Sequence, residues 1–416
     1  MNCISALDDP QSPPAASTPH VLSPKEQRAL NFLEMQPLAF TTDPTLVHAT
    51  SRFGVPIYPR VDDTNNNKRK KKKKNHFFGG DPQEDDDDDD EEECIWINVE
   101  VFEENTSATT SPVVIYIPGI CESAETLTVQ TMAQWAKSIG MRLAVIEIQG
   151  HGLSTGTLAD MPTDLYVLVR QVLLSVKRTT SILCHERSTI PYLLSGSSFG
   201  GTLALYAAES ISRRKLRQQS PSQQQLLQPD SNDTFHSLLQ DEEDLWNGFF
   251  SHGSLMGVVA VAPAVGVDEE ILPPSWMISS LSVLSSWFPH AQVPFTPMED
   301  STQYNCPATT TRNFQGRWQL SISKFLLDLT STIVPHDVQQ GQLSLANIPR
   351  VVLLAGAKDV MIPLSAIQAL EAQLQAPSKE LVVLPKVGHD LLTHPKSSSK
   401  ALEKLFGTLL EVASSS

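Results

Sequence analysis

The run Gly196-Ser197-Ser198-Phe199-Gly200-Gly201 constrains this 416-residue chain more than any other stretch. It fits the pattern G-x-S-x-G with Ser198 at its centre. Tyr192-Leu193-Leu194-Ser195 before it is short, apolar and strand-like, and residues 202 to 208 after it are good helix formers. A serine on a sharp strand-to-helix turn sits in a strained backbone with its hydroxyl exposed. Glycines flank it because the chain passes too close to its neighbours for a Cβ. Pattern and setting together predict Ser198 as a catalytic nucleophile.

A Ser-His-acid mechanism requires an acid and then a histidine downstream, each after a late strand. Residues 350 to 355 read as a buried strand, followed by Gly356-Ala357-Lys358-Asp359. Residues 380 to 385 read as another, followed by Lys386-Val387-Gly388-His389, with a helical stretch at 363 to 370 between them. Asp359 and His389 thus fall at the carboxyl ends of strands, where open α/β sheets build their sites. A serine hydroxyl is a poor nucleophile without a base in reach. His389 would take its proton and return it to the leaving group. Asp359 would hold the imidazole in the right tautomer. His394 is the reserve base, otherwise a loop residue.

Negative charge developing on the substrate oxygen needs donors aimed at it. One expected donor is the backbone N–H of Phe199. The other belongs to an early loop after an apolar strand, and residues 112 to 117 followed by Pro118-Gly119-Ile120-Cys121-Glu122-Ser123 provide one. The second donor is assigned to the N–H of Ile120.

On these residues the chain resembles the α/β-hydrolases of the monoacylglycerol lipase and lysophospholipase type, also described as the serine aminopeptidase group. Two further stretches carry the resemblance. Ile146-Glu147-Ile148-Gln149-Gly150-His151-Gly152-Leu153-Ser154 is similar to the family's strand and G-H-G-x-S loop, and residues 255 to 265 to a buried strand ending in Ala262-Pro263-Ala264. The resemblance spans roughly residues 94 to 210 and 250 to 412. It implies an α/β-hydrolase fold: a mostly parallel central sheet, helices on both faces and an inserted helical cap. It also implies that His151 is structural, holding its loop beside the site. Pro118-Gly119 departs from the family's usual His-Gly, whose histidine orients the oxyanion loop.

The implied organisation is a disordered N-terminus at 1–24, then a first part of the core at 25–265. That part carries a charged insertion at 60–93 and a low-complexity insertion at 212–248. A cap at 266–347 and the second part of the core at 348–416 follow. The cap should offer Met277, Leu281, Leu284 and Phe288 at helical spacing, as an acyl pocket, a lipid-gathering face toward a membrane, or a face packed on the core. A 40% hydrophobic content is ample for such a core. Five scattered cysteines without a close-spaced framework read as free thiols in a reducing compartment.

The basic run from Lys68 to Lys74 reads as a nuclear-import or anionic-surface patch, or as a solvated stretch screened by the ten acids from Glu84 to Glu93. A net charge of −16 argues against nucleic acid as substrate. With no basic leader and no apolar run long enough to span a bilayer, the expectation is a cytoplasmic protein, at most peripheral to membranes.

The reading is a serine hydrolase of a carboxylic ester, a monoacylglycerol or lysophospholipid by resemblance, needing no metal or organic cofactor. Alternatives on the same residues are an acyltransferase, an aminopeptidase with an acidic subsite such as Glu269-Glu270, and a catalytically inactive binding protein.

Overall fold

The computed structural model describes residues 47, 49–58, 94–103, 112–184, 189–219, 239–240, 242–268, 272, 274–293, 318–393 and 398–414. The expected N-terminal segment, the lysine and acid runs, residues 220–238, Glu269, Glu270 and His394 lie outside these.

Eight strands form one sheet: β1 (Ser51–Ile57), β2 (Ile95–Phe102), β3 (Val113–Ile117), β4 (Arg142–Glu147), β5 (Ile190–Ser197), β6 (Gly253–Val261), β7 (Arg350–Gly356) and β8 (Lys379–Leu384). Their order is β1-β2-β4-β3-β5-β6-β7-β8. β2 is antiparallel to both neighbours, and the ladders from β4 through β3 to β8 are parallel. The described helices are α1 (Leu127–Ser138), α2 (Leu165–Leu183), α3 (Ser198–Gln219), α4 (Glu243–Trp246), α5 (Ser275–Trp287), α6 (Leu320–Asp328), α7 (Val334–Gln339), α8 (Leu364–Gln373) and α9 (Ser398–Ser414).

Parallel strands covered on both faces read as continuous apolar runs, as β3 and β7 do here. The pleat sends alternate residues to opposite layers. Val113, Ile115 and Ile117 join the core under α2 and α3, whereas Val114 and Tyr116 join the one under α1 and α9. α2 begins where Asp164 Oδ1 accepts the N–H of Tyr166 at 2.8 Å, an N-cap that satisfies one of the orphan donors of its first turn.

The segment expected as a cap contributes α5, α6 and α7, and its two sides differ. α6 continues through a π-helical turn, Leu329–Ile333, into α7. Pro335 stands there, and without an N–H it cannot extend an α ladder. This side is fastened to the core. Tyr206 Oη donates to Asp337 Oδ2 at 2.6 Å, Arg213 donates to the Gln342 carbonyl at 2.7 Å, and Glu209 Oε2 accepts the Leu345 N–H at 2.6 Å. α5 has no buried residue. Of the placements expected for Met277, Leu281, Leu284 and Phe288, packing on the core is the one least like what the structure contains. Leu281 is half-buried, while Met277, Leu284 and Phe288 are 37%, 45% and 56% exposed.

Candidate active site

The fold carries Ser198 at the junction of β5 and α3 with φ 50°, a left-handed conformation that costs a residue with a side chain about 1–2 kcal/mol. The glycines around it explain how the chain turns there. A Cβ on Gly196 would lie 2.3 Å from the Gly200 carbonyl oxygen. One on Gly200 would lie 2.1 Å from the carbonyl oxygen of Ile117 and 2.2 Å from that of Pro118. The strand end, the helix start and the loop after β3 therefore meet at backbone contact.

Asp359 follows β7. Its Oδ1 accepts the N–H groups of Met361 and Ile362, both at 2.9 Å, which fixes the carboxylate plane. Oδ2 lies 2.8 Å from His389 Nδ1, in the loop after β8. The Asp359 side chain is fully covered and that of His389 is 14% exposed. Ser198 and His389 line one pocket with Gly119, Ile120, Glu122 and Ser197, and Val261, Met361 and Leu391 add apolar walls. Its volume of ≈ 40 Å³ holds roughly three water molecules.

Met277, Leu281, Leu284 and Phe288 do not reach this pocket. Its lining comes from the ends of β3, β5, β6, β7 and β8 and from α1. Helical spacing located the apolar residues of α5 but carried no information on which surface they meet.

The loop after β3 is held almost donor by donor. The Gly119 N–H donates to Glu122 Oε2 at 2.6 Å, the Cys121 N–H to His151 Nε2 at 3.0 Å, and the Ala124 N–H to Glu147 Oε1 at 2.8 Å. The Glu122 N–H donates to the Gly119 carbonyl at 3.1 Å. Among the described residues nothing accepts from the Ile120 N–H. The Phe199 N–H lies in the first turn of α3, where a helix leaves its donors without internal partners. These are the two donors expected of an oxyanion site, and both belong to residues beside the pocket. The side chain of Phe199 packs edge-on against Phe325 of α6, 6.1 Å between centroids.

His151 is buried, and burial lowers its pKa to about 4. It is neutral at working pH, with Nε2 accepting from Cys121 and Nδ1 donating to the Gln149 carbonyl at 3.3 Å. Cys121 has φ 65°, and burial pushes its thiol up to about 12, which makes it an inert packed thiol. Glu147 ties this loop to the next, because Oε2 also accepts the Leu153 N–H and Asn98 Nδ2, each at 2.7 Å. Burial, with the Glu100 charge behind it, raises its pKa above the usual carboxylate range. Sequence reasoning missed Glu147 as an anchor because an acid closing an apolar strand reads as a solvated end. It also missed Glu122 and Asp390 in the pocket wall, whose only signal was their position in loops after strands.

The His151 shift has a measurable sign. The unfolded chain takes up this proton near pH 6.5 and the folded chain only near pH 4, so the contribution is intact above 6.5 and is lost as the pH falls toward 4. Urea unfolding is expected to show a loss of about 3 kcal/mol across that window that His151→Gln lacks. Equal pH slopes for the two proteins would contradict a buried neutral imidazole.

Residues 251–396 match the family described as serine aminopeptidase, S33. In three dimensions the chain is similar to a soluble variant of monoglyceride lipase from Saccharomyces cerevisiae in complex with a substrate analog. The two are 12% identical over 76% of this chain and 91% of that chain, with a TM-score of 0.53. It is also similar to DcsB in complex with its substrate analogue, 15% identical over 76% of this chain and 96% of that one, with a TM-score of 0.52. No curated protein matches the sequence. At these identities the likeness is one of fold.

Proposed function

The chain has the α/β-hydrolase fold and resembles the serine aminopeptidase S33 family over residues 251–396, and we propose on that premise that it is a serine hydrolase of carboxylic esters. The observation that carries this reading is the 2.8 Å Asp359–His389 pair opening onto the same pocket as the strained Ser198. Ser198 Oγ attacks the acyl carbon while His389 Nε2 takes its proton. The N–H groups of Ile120 and Phe199 receive the oxyanion. The imidazolium, held by Asp359, returns the proton to the leaving alkoxide, and an alcohol departs. Water, deprotonated by His389, then attacks the acyl-enzyme and frees the acid and Ser198.

Fluorophosphonate labelling of the purified protein with peptide mapping tests this. A stoichiometric adduct on Ser198, strongly slowed in His389→Ala, supports it. A folded sample that takes up no label is a binding protein instead. Added alcohol diverting the acyl group from water would mark an acyltransferase.

The resemblance and α5 support a single-chain lipid ester, a monoacylglycerol or lysophospholipid, as the substrate class. α5 carries no charged residue. Ser279, Ser280 and Ser282 donate their hydroxyls to the helix's own carbonyls four residues back, at 2.8–3.1 Å, so even its polar side chains ask little of water. Trp276 and Trp287 stand at its two ends, 68% and 75% exposed. Its exposed apolar area would be removed from water at a lipid interface. Trp276→Ser with Trp287→Ser is expected to weaken partition into zwitterionic phosphatidylcholine vesicles at least about tenfold. Labelling of Ser198 in solution should not change, and unchanged partition would remove the membrane role.

One observation favours a second reading. Glu122 and Asp390 both line the pocket, and no described lysine or arginine forms an ion pair with either. A substrate amine would suit two carboxylates, as an aminopeptidase requires. Cleavage of aminoacyl amides in preference to neutral esters would move the assignment there.

A further inference from the structure

The two oxyanion donors sit on different segments, Ile120 in the loop after β3 and Phe199 at the start of α3. The β3–β5 ladder pairs Ile117 with Gly196 and ends there, so neither donor is placed by strand pairing. The loop's contacts with His151 and Glu147 orient it against the loop after β4, not against α3. One side chain joins the two segments. Glu122 Oε2 accepts the Gly119 N–H at 2.6 Å and the Ser197 Oγ–H at 3.0 Å. Gly119 adjoins Ile120, and Ser197 adjoins the nucleophile. The fit leaves no slack, because a Cβ on Gly119 would lie 2.9 Å from Glu122 Oε2 and 3.3 Å from Ser197 Oγ. Among the described residues no other side chain bonds both segments. Pro118, with neither donor nor acceptor in its side chain, cannot share the task.

We propose that Glu122 is a positioning residue that clips the β3 loop to the strand end before Ser198 and so sets the spacing of the Ile120 and Phe199 N–H groups. The clip's effect on turnover rests on the hydrolase reading, and its effect on the backbone does not. A carboxylate beside a developing oxyanion opposes that charge, so its contribution is geometric. An amide oxygen in the same place should serve nearly as well. A shorter or absent side chain cannot reach both donors.

Two measurements on the full chain separate these statements. With p-nitrophenyl butyrate, Glu122→Ala is expected to lower kcat about 10- to 100-fold with KM within about threefold. This lies below the roughly 100- to 1000-fold for losing an oxyanion donor outright, since the donors are displaced and not removed. Glu122→Gln should recover kcat to within about threefold of wild type. Hydrogen exchange should quicken in Glu122→Ala in both peptides, 117–124 and 196–201, and stay near wild type in Glu122→Gln. Should Glu122→Ala fail to fold, Ser197→Ala cuts only the tie to the second segment and must still quicken exchange at 117–124.

A loss confined to KM, a glutamine variant as impaired as alanine, or faster exchange in one segment alone overturns the clip. A wild-type chain without a fluorophosphonate adduct overturns the hydrolase reading instead, and the exchange data then decide the clip by themselves.

Discussion

Ser198→Ala is expected to take up no fluorophosphonate and to hydrolyse esters about 10⁴-fold more slowly than wild type, or worse. Losses of that size follow removal of a nucleophile that works as a unit with its base. The substitution deletes one hydroxyl and leaves the elbow intact, so its urea midpoint should match wild type. Ser198→Gly should be equally inactive, yet more stable than the alanine variant by about 1 kcal/mol. At φ 50° only glycine escapes the steric cost of the left-handed region. Together the two variants ask whether stability is given up at this position to hold a nucleophile. Activity above a tenth of wild type in either would dismiss Ser198 from the role. Equal stability of the two would dismiss the strain.

Gly200→Ala should yield little or no folded protein. Its Cβ would meet two carbonyl oxygens at 2.1 and 2.2 Å, and both belong to backbone that no rotamer change can move aside. Separating β3 from the start of α3 to make room would break the centre of the sheet. A cost beyond about 5 kcal/mol would match the whole stability of many domains. Gly407 provides the contrast inside α9. A Cβ there meets nothing within 4 Å and the backbone is helical. Gly407→Ala should therefore stabilise by about 0.5–1 kcal/mol in thermal or urea unfolding. A well-folded Gly200→Ala would show that the elbow can open and that backbone contact does not fix it.

Much of this arrangement was legible in the sequence, for reasons that can be named. Apolar runs announce the parallel strands, so β3, β5, β7 and β8 were found within about two residues of their ends, while the β6 reading, 255 to 265, ran four residues past Val261. Residues just past those ends then became site candidates: Ser198 by its G-x-S-x-G pattern, Asp359 and His389 by residue type and chain order, and Ile120 by its place in the loop after β3. What stayed hidden was pairing between loops. Nothing in Glu122, Glu147 or His151 as letters says which backbone N–H each will accept, because those partners come together only when separate strand ends converge. The orientation of α5 was equally unreadable. Its serines interrupt an apolar helix without giving it a charged face, and periodicity cannot distinguish a face turned to a protein core from one turned to lipid. Pro335 is visible in the sequence, but the π turn ahead of it needed the ladder itself to be seen.

The parallel topology also separates the parts of the candidate site along the chain. Parallel strands cannot pair through a tight turn, so every ladder from β4 to β8 waits for the connection between its strands to form. The turn that carries Ser198 is local in the chain, although it packs on the loop after β3, whereas Asp359 and His389 belong to strands far along it. A partly folded molecule thus holds its serine hydroxyl beside no base, chemically indistinguishable from any other serine. On the proposed triad, reactivity at Ser198 requires β7 and β8 to be in place, so during refolding fluorophosphonate labelling is expected to appear no earlier than the pairing of that edge of the sheet.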